Sequence, residues 1–140
     1  MKKTKNEFIL IKGTIFPFDI LYTTACDHKV YNYIEKNKKY KLNDEEKEKL
    51  AIRGRARTVQ LFGGQVIVRL LKEKTKIGID LPILSHEIEH AIYFILSKCG
   101  IMHNDGDDEL YGYYQQYLMK YILDKIDKKE IKKEAEREKL

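Results

Sequence analysis

The stretch DLPILSHEIEHAIYFILSK, residues 80–98, decides the fold of this chain. Its apolar residues recur at the three- and four-residue spacing of an amphipathic helix and form one stripe: Leu84, Ile88, Ala91, Ile92 and Ile95. Asp80 stands where an N-cap belongs, and Gly100 is a natural C-terminal stop. The sequence therefore predicts a long helix over residues 80–98 with one face in the core.

The same helix carries a chemical motif, His86-Glu87-Ile88-Glu89-His90. Two histidines four residues apart lie one turn apart on a helix, so both imidazoles can bind one ion. Zinc binds neutral imidazole nitrogens, and catalytic zinc sites combine three protein ligands with a water. Glu87 then lies beside that water and can accept its proton, because zinc lowers the pKa of the water towards ~7. The motif predicts zinc bound by His86 and His90, with Glu87 as general base.

Two strands are predicted upstream of this helix. Residues 58–62 and 65–71 flank Gly63-Gly64, a two-residue turn that suits the positive φ angles of a tight hairpin. The buried side of the second arm is expected to be Val66, Val68 and Leu70. If this second arm is an edge strand, it can hold an extended peptide by strand addition.

The N-terminal third gives shorter signals. A period-two alternation of apolar side chains predicts a strand with one buried face: Phe16, Phe18, Ile20 and Tyr22. Asp27 is expected to cap a short helix whose shared face is Val30, Tyr31 and Ile34. Asn43 and Glu46 have the spacing of a capping box for a second short helix.

The C-terminal part begins with a polar segment, residues 103–107, and a last helix capped by Asp107 or Asp108. The apolar face of this helix is Leu110, Tyr114, Tyr117, Leu118, Tyr121 and Ile122. Residues 128–140 are almost purely lysine and glutamate, which predicts a charged helical extension that frays unless a partner holds it. Residues 1–127 are expected to form one α+β domain, a small antiparallel or mixed sheet packed on the motif helix and the long C-terminal helix.

Composition and charge exclude several classes of partner. The 140 residues carry a net charge of +5, but the lysines are scattered, which favours solvated surface over a nucleic-acid site. No apolar stretch has the length of a membrane span. Cys26 and Cys99 lack metal or redox spacing and are expected to be free, packed thiols. These features predict a cytoplasmic protein with neither a membrane nor a nucleic acid as partner.

A third ligand comes from a family resemblance. The motif followed by Glu109, nineteen residues after His90, resembles the gluzincin arrangement. More narrowly, residues 84–91 (LSHEIEHA), 99–101 (CGI) and 107–114 (DDELYGYY) are similar to small zincin-like proteins encoded by bacteriophages. The resemblance spans about residues 57–123. It implies a minimal zincin-like fold in which His86, His90 and Glu109 bind zinc and Glu87 is the base.

Other residues compete for these roles. The rival third ligands are His103, Asp105, Asp107 and Asp108, of which the last two are more simply helix caps. The tyrosines Tyr111, Tyr113 and Tyr114 can stabilise a tetrahedral intermediate or pack in the core. Glu89 is either a surface residue or a partner of the ligands. The metzincin pattern is not met, because Tyr93 stands at its glycine and Leu96 at its third histidine. Tyr113 replaces the acidic residue that orients a ligand histidine in gluzincins.

Two functions follow from the resemblance. The first is a zinc-dependent peptidase that hydrolyses a peptide bond of a peptide or protein substrate in the host cytoplasm. The alternative is a zinc-stabilised zincin fold acting as a structural or adaptor protein of the virion, with the C-terminal helix contacting other phage proteins. Glu87 favours the enzyme, because a structural zinc has no use for a general base.

Overall fold

The computed structural model describes residues 7–13, 16–38, 41–61, 63–101 and 108–126. Over these ranges the chain is α+β, as predicted, with four strands and four helices. The strands are β1 (Phe8–Ile11), β2 (Ile20–Thr23), β3 (Ala56–Gln60) and β4 (Val66–Leu70). The helices are α1 (Asp27–Lys38), α2 (Asp44–Leu50), α3 (Leu81–Lys98) and α4 (Asp108–Ile126).

The four strands form one mixed sheet in the order β1-β2-β4-β3. β2 and β4 are parallel, whereas β1 pairs with β2 and β3 pairs with β4 in antiparallel fashion. The hairpin of β3 and β4 is confirmed, and Gly64 in its turn has a φ of 90°. Residues 65–71 do not meet the condition for strand addition, because β4 has partners on both sides. β3 is the edge strand of this hairpin.

Helices cover both faces of the sheet. Alternate strand residues, among them Tyr22, Val66 and Val68, form one core with α3 and α4. Their neighbours, among them Leu21, Val59 and Ile67, form a second core with α1 and α2. All five residues of β4 are buried, since a strand covered on both faces has no solvent side.

The predicted strand over residues 16–22 is wrong at its beginning and in its single buried face. β2 starts at Ile20, and all four of its residues are buried. Phe16 and Phe18 precede the strand and pack, partly buried, against the core of α3 and α4. Their alternation with Ile20 imitates a half-exposed strand, whereas they belong to the segment that leads into β2.

The predicted helix over residues 80–98 is confirmed as α3. The Asp80 carboxylate accepts a hydrogen bond from the Ile83 N–H at 3.1 Å, and all five stripe residues are buried. Gly100, just beyond the helix, has a φ of 78°. The capping box of α2 is also confirmed: the Glu46 N–H donates to Asn43 Oδ1 at 2.8 Å, and the Asn43 N–H donates back at 3.2 Å.

Arg69 of β4 joins three elements on the side of α1 and α2. Its side chain is 1% exposed and donates to the Leu50 carbonyl at 2.6 Å and the Ala25 carbonyl at 2.7 Å. It also forms an ion pair with Asp27, the first residue of α1, whose carboxylate accepts from the Ile52 N–H at 3.1 Å. A buried guanidinium needs such partners to offset its lost hydration. Arg69 therefore fixes where α1 begins and where α2 ends.

Some sequence predictions meet the structure only in part. Cys26 and Cys99 are free, but both are exposed, so the prediction of packed thiols is wrong. Within the described ranges, none of the helices has both the length and the apolarity that a membrane crossing requires. Asp107 as a cap and the extension over residues 128–140 lie outside the described residues.

Candidate metal centre

The candidate site lies on the outer surface of α3. His86 and His90 are both exposed, whereas Leu84, Ile88 and Ala91 of the same helix are buried against the sheet. This division follows from the helical period, because residues four apart share a face and the stripe lies on the opposite one. The helix thus holds both imidazoles on a rigid support with their nitrogens accessible.

The two histidines are close enough to bind one ion. Their Nε2 atoms lie 3.1 Å apart, and their ring planes are at 90° with centroids 4.6 Å apart. Two nitrogens bound to one tetrahedral zinc at 2.0–2.1 Å lie about 3.3 Å from each other. The observed separation therefore fits a zinc site. It also fits a hydrogen bond between two neutral imidazoles, one donating and one accepting.

Glu87 completes the cluster from the side nearest the sheet. Its carboxylate and the two imidazoles offer ligand atoms that all lie within 4.8 Å of one another. Unlike the histidines, Glu87 is buried, with 8% of its surface exposed. The Thr58 hydroxyl donates to Glu87 Oε1 at 2.7 Å and lies 3.1 Å from the Glu87 backbone oxygen. Thr58 therefore fixes one carboxylate oxygen; in the described structure no residue donates to the other.

Thr58 belongs to an edge strand with outward-facing backbone groups. The Leu61 N–H donates to the Gln65 carbonyl and the Leu71 N–H to the Arg55 carbonyl, both at 2.9 Å. Hydrogen-bonded pairs alternate along an antiparallel ladder. In this register the backbone N–H and C=O groups of Ala56, Thr58 and Gln60 consequently point away from β4. An extended chain can pair with this edge next to the Glu87 carboxylate.

A shallow cavity of about 230 Å³ lies beside the histidines. It is lined by His86, Glu89, His90, Tyr93 and Tyr111. Tyr111 comes from α4 and is 8% exposed, whereas Tyr93 is 53% exposed. The structure thus brings Glu89 and Tyr111 close to His86 and His90. The sequence left both with alternative roles, since the helical period alone does not say which side of α3 the next helix covers.

Glu109 stands outside the cluster of His86, Glu87 and His90. α4 turns Gln115 towards α3, where its amide donates to the Ser85 carbonyl at 3.1 Å and lies 3.0 Å from the Ser85 hydroxyl. Tyr111, one turn earlier, faces the same side. At 3.6 residues per turn Glu109 lies about 200° around α4 from Tyr111, and it is exposed. Its role as third ligand stays a prediction; the rivals at positions 103, 105 and 107 lie outside the described residues.

Thr58 is a residue of the candidate site that was not predicted from the sequence. A threonine in a strand is typical of β structure, and its partner Glu87 lies 29 residues further along the chain. The alternation of the hairpin was the available signal, because Ala56, Thr58 and Gln60 share one face of β3. The alternation of residues along β3 does not show that α3 packs on that face.

Comparison of this chain with models of known protein families, with curated proteins and with solved structures gives no match. The geometry and the donor set of the site therefore carry the functional argument.

Proposed function

We propose that this chain is a zinc-dependent peptidase whose metal is bound by His86 and His90. One observation carries the proposal: two imidazole nitrogens lie 3.1 Å apart beside a buried carboxylate that a neighbouring strand holds in place. When bound, zinc supplies Lewis acidity, lowering the pKa of a bound water and polarising a carbonyl. A buried glutamate held in one orientation beside the two histidines favours a catalytic site.

In this proposal Glu87 is the general base. A base must hold its carboxylate within hydrogen-bond reach of the proton that it removes. Thr58 binds Oε1 and leaves Oε2 to accept a proton from the attacking water. Burial of Glu87 keeps bulk water from competing for that oxygen. Glu87 can then pass the proton to the leaving amine as the peptide bond breaks.

The edge of β3 is the proposed place of the substrate. An extended peptide paired with the outward backbone groups of Thr58 has its scissile bond beside Glu87 and the histidines. Main-chain hydrogen bonds give such strand addition affinity without demanding a particular sequence. Tyr111 lines the wall beside the histidines, but its hydroxyl oxygen is buried, which favours packing over donation to a tetrahedral intermediate.

The third ligand and the origin of the chain rest on the resemblance to bacteriophage zincin-like proteins. We propose Glu109 as this ligand, with His103, Asp105, Asp107 and Asp108 as its rivals. On the same resemblance, we propose that the protein acts in the host cytoplasm or in the virion.

A second function is favoured by one observation. The hydrogen bond from Thr58 ties α3 to β3, so Glu87 also has a purely architectural use. A zinc-stabilised adaptor of the virion, without catalysis, needs no more than this.

The two functions are separated by Glu87→Gln, which keeps the shape of the side chain but not its basicity. We expect about one zinc per chain in the wild type and in Glu87→Gln, and loss of zinc in His90→Ala. Digestion of a peptide library should slow by roughly 10²–10⁴ in Glu87→Gln at matched zinc content. Glu45→Gln, an exposed change on α2, is the matched control and should cleave like the wild type.

Equal cleavage by the wild type and Glu87→Gln would reveal a contaminating protease and overturn the peptidase proposal. Binding of zinc without cleavage of any peptide in a broad library would favour the adaptor instead.

A further inference from the structure

A second cavity lies away from the histidines, at the opposite edge of the sheet. Its volume is about 300 Å³, larger than that of the cavity beside the histidines. Ile11 of β1, Ile20 of β2 and the first turns of α4 surround it. In the strand order β1-β2-β4-β3, β4 separates these strands from Thr58. The cavity is therefore a separate site, and nothing in the proposed peptidase mechanism uses it.

The interior of this cavity is apolar. Its floor consists of three buried side chains, Ile11, Ile20 and Leu118. Half-buried side chains form the walls: Phe16, Phe18, Leu110 and Tyr114. The rings of Phe16 and Tyr114 meet with centroids 5.3 Å apart. Burial raises the pKa of Tyr114 to about 12, so its phenol stays neutral and adds no charge to the wall.

The mouth of the cavity differs from its interior in both charge and polarity. Lys12 is exposed there, together with Tyr113 and Tyr117, which are 66% and 47% exposed. No described carboxylate pairs with Lys12, whereas Lys29 and Lys72 both pair with Glu7. An ammonium and two phenols are all hydrogen-bond donors, and Lys12 is the only charged residue among the described lining residues. The mouth therefore suits an anionic acceptor.

The backbone at the mouth packs closely around Gly13. A Cβ at Gly13 would lie 2.4 Å from the Phe16 carbonyl oxygen and 2.8 Å from the Phe18 nitrogen. Only glycine allows this approach. The Gly13 N–H also donates to Asp19 Oδ1 at 2.8 Å, which ties the end of β1 to the segment before β2. These contacts hold Phe16 and Phe18 in the cavity wall.

We propose that this cavity binds a small amphipathic carboxylate, with its apolar body on the floor and walls and its carboxylate at Lys12. An apolar cavity with a few polar groups at its mouth has the composition of a small-molecule site. Its volume of about 300 Å³ is at the lower end for such sites, so a small ligand is expected. Octanoate has that size and both required ends.

The test is calorimetric or NMR titration of the full chain with octanoate, with EDTA present so that no metal binds the carboxylate. We expect saturable binding of octanoate. It should be at least about tenfold tighter than that of butanoate, because butanoate fills less of the cavity. It should also be at least about tenfold tighter than that of octylammonium, because the charge is reversed. Lys12→Glu should weaken octanoate binding about tenfold and leave octanol binding unchanged. Leu110→Trp, which fills the cavity, should abolish both.

Several outcomes would overturn the proposal. Octanol could bind as tightly as octanoate, or Lys12→Glu could bind octanoate as tightly as the wild type does. Absence of any saturable binding would also overturn it. The series of ligands on the wild type keeps the test decisive if Leu110→Trp fails to fold. His86→Ala should bind octanoate like the wild type, so failure here and failure of the peptidase proposal are distinguishable.

Discussion

Thr58 and Glu87 are the pair through which the sheet acts on the candidate metal centre. A carboxylate that is 8% exposed keeps its orientation only if a donor holds it, and the Thr58 hydroxyl at 2.7 Å is that donor. Loss of one hydrogen bond to a charged group costs about 1.5–3 kcal/mol. At the residue scale, the activity of the proposed peptidase therefore depends on a side chain that touches neither metal nor substrate.

Replacement of Thr58 tests this dependence. Thr58→Val keeps the shape but removes the hydroxyl, and we expect kcat to fall on the order of tenfold with KM and zinc content unchanged. Thr58→Ser retains a hydroxyl and should recover most of the lost rate. Steady-state kinetics with both variants measures the effect. A Thr58→Ser enzyme as slow as Thr58→Val would show that the methyl group, and hence packing, is what matters.

Residue-scale prediction from sequence succeeded where the geometry is local. His86, Glu87 and His90 lie within five residues, so the helical period alone brings their ligand atoms together, and the structure groups them. Lys12 and Tyr113 could not be associated in the same way, because they are a hundred residues apart and meet only through the packing of α4 on β1. Burial of the cysteines was likewise misjudged, since it depends on what packs over each helix end.

At the scale of elements, the proposed third ligand, Glu109, lies in the first turn of α4. We expect Glu109→Gln to weaken zinc binding by about tenfold or more and Asp105→Asn to change it by less than about twofold. Because Glu109 lies about 200° around the helix from Tyr111, its binding requires this turn to rewind. Competition with a zinc chelator measures affinity, and amide chemical shifts of residues 108–111 report the rewinding.

The opposite pattern, with Asp105→Asn the more damaging change, would move the ligand into the segment 102–107 and remove the gluzincin assignment.

Elements that begin or end at a capping residue or a glycine turn were predicted well. The caps of α2 and α3 and the glycine turn of the hairpin are confirmed, because each is written in residues at most a few positions apart. β1 was not predicted as a strand, and whether β4 lies at the edge was left open. Both points concern pairing with β2, whose partners lie before and more than forty residues after it. Local patterns carry no information on such pairing.

On the scale of the whole molecule, Arg69 and Asp27 couple stability to pH. Burial raises the pKa of Asp27, but hydrogen bonds from Arg69 and the Ile52 N–H, with the Arg69 charge, outweigh it and hold this pKa below its ordinary value. A depressed folded-state pKa stabilises the protein above the unfolded pKa, and this stabilisation is lost as pH falls through the folded value. The loss is therefore expected below about pH 4.

Asp27→Asn removes the charge and leaves an oxygen acceptor. Its free energy of unfolding at neutral pH should drop by about 1–2 kcal/mol, a modest figure because the Asp27 side chain is 39% exposed. The difference from the wild type should shrink as the pH falls below about 4. Urea unfolding between pH 2 and 7 measures it, with Asp124→Asn, in an exposed pair with Lys120, as control. A difference independent of pH would mean that the Asp27 charge contributes nothing.

The outward-facing backbone groups of β3 also predict an alternation of amide hydrogen-exchange rates along the strand. The N–H groups of Arg57 and Val59 are bonded to β4 and that of Leu61 to Gln65, so all three should exchange slowly. Those of Ala56, Thr58 and Gln60 lack described partners and should exchange quickly. Neighbouring amides along one strand are thus expected to alternate between fast and slow. A peptide that pairs with this edge should slow the fast set and leave the slow set unchanged. Deuterium uptake along these six residues then shows where a substrate lies, whether or not it is cleaved.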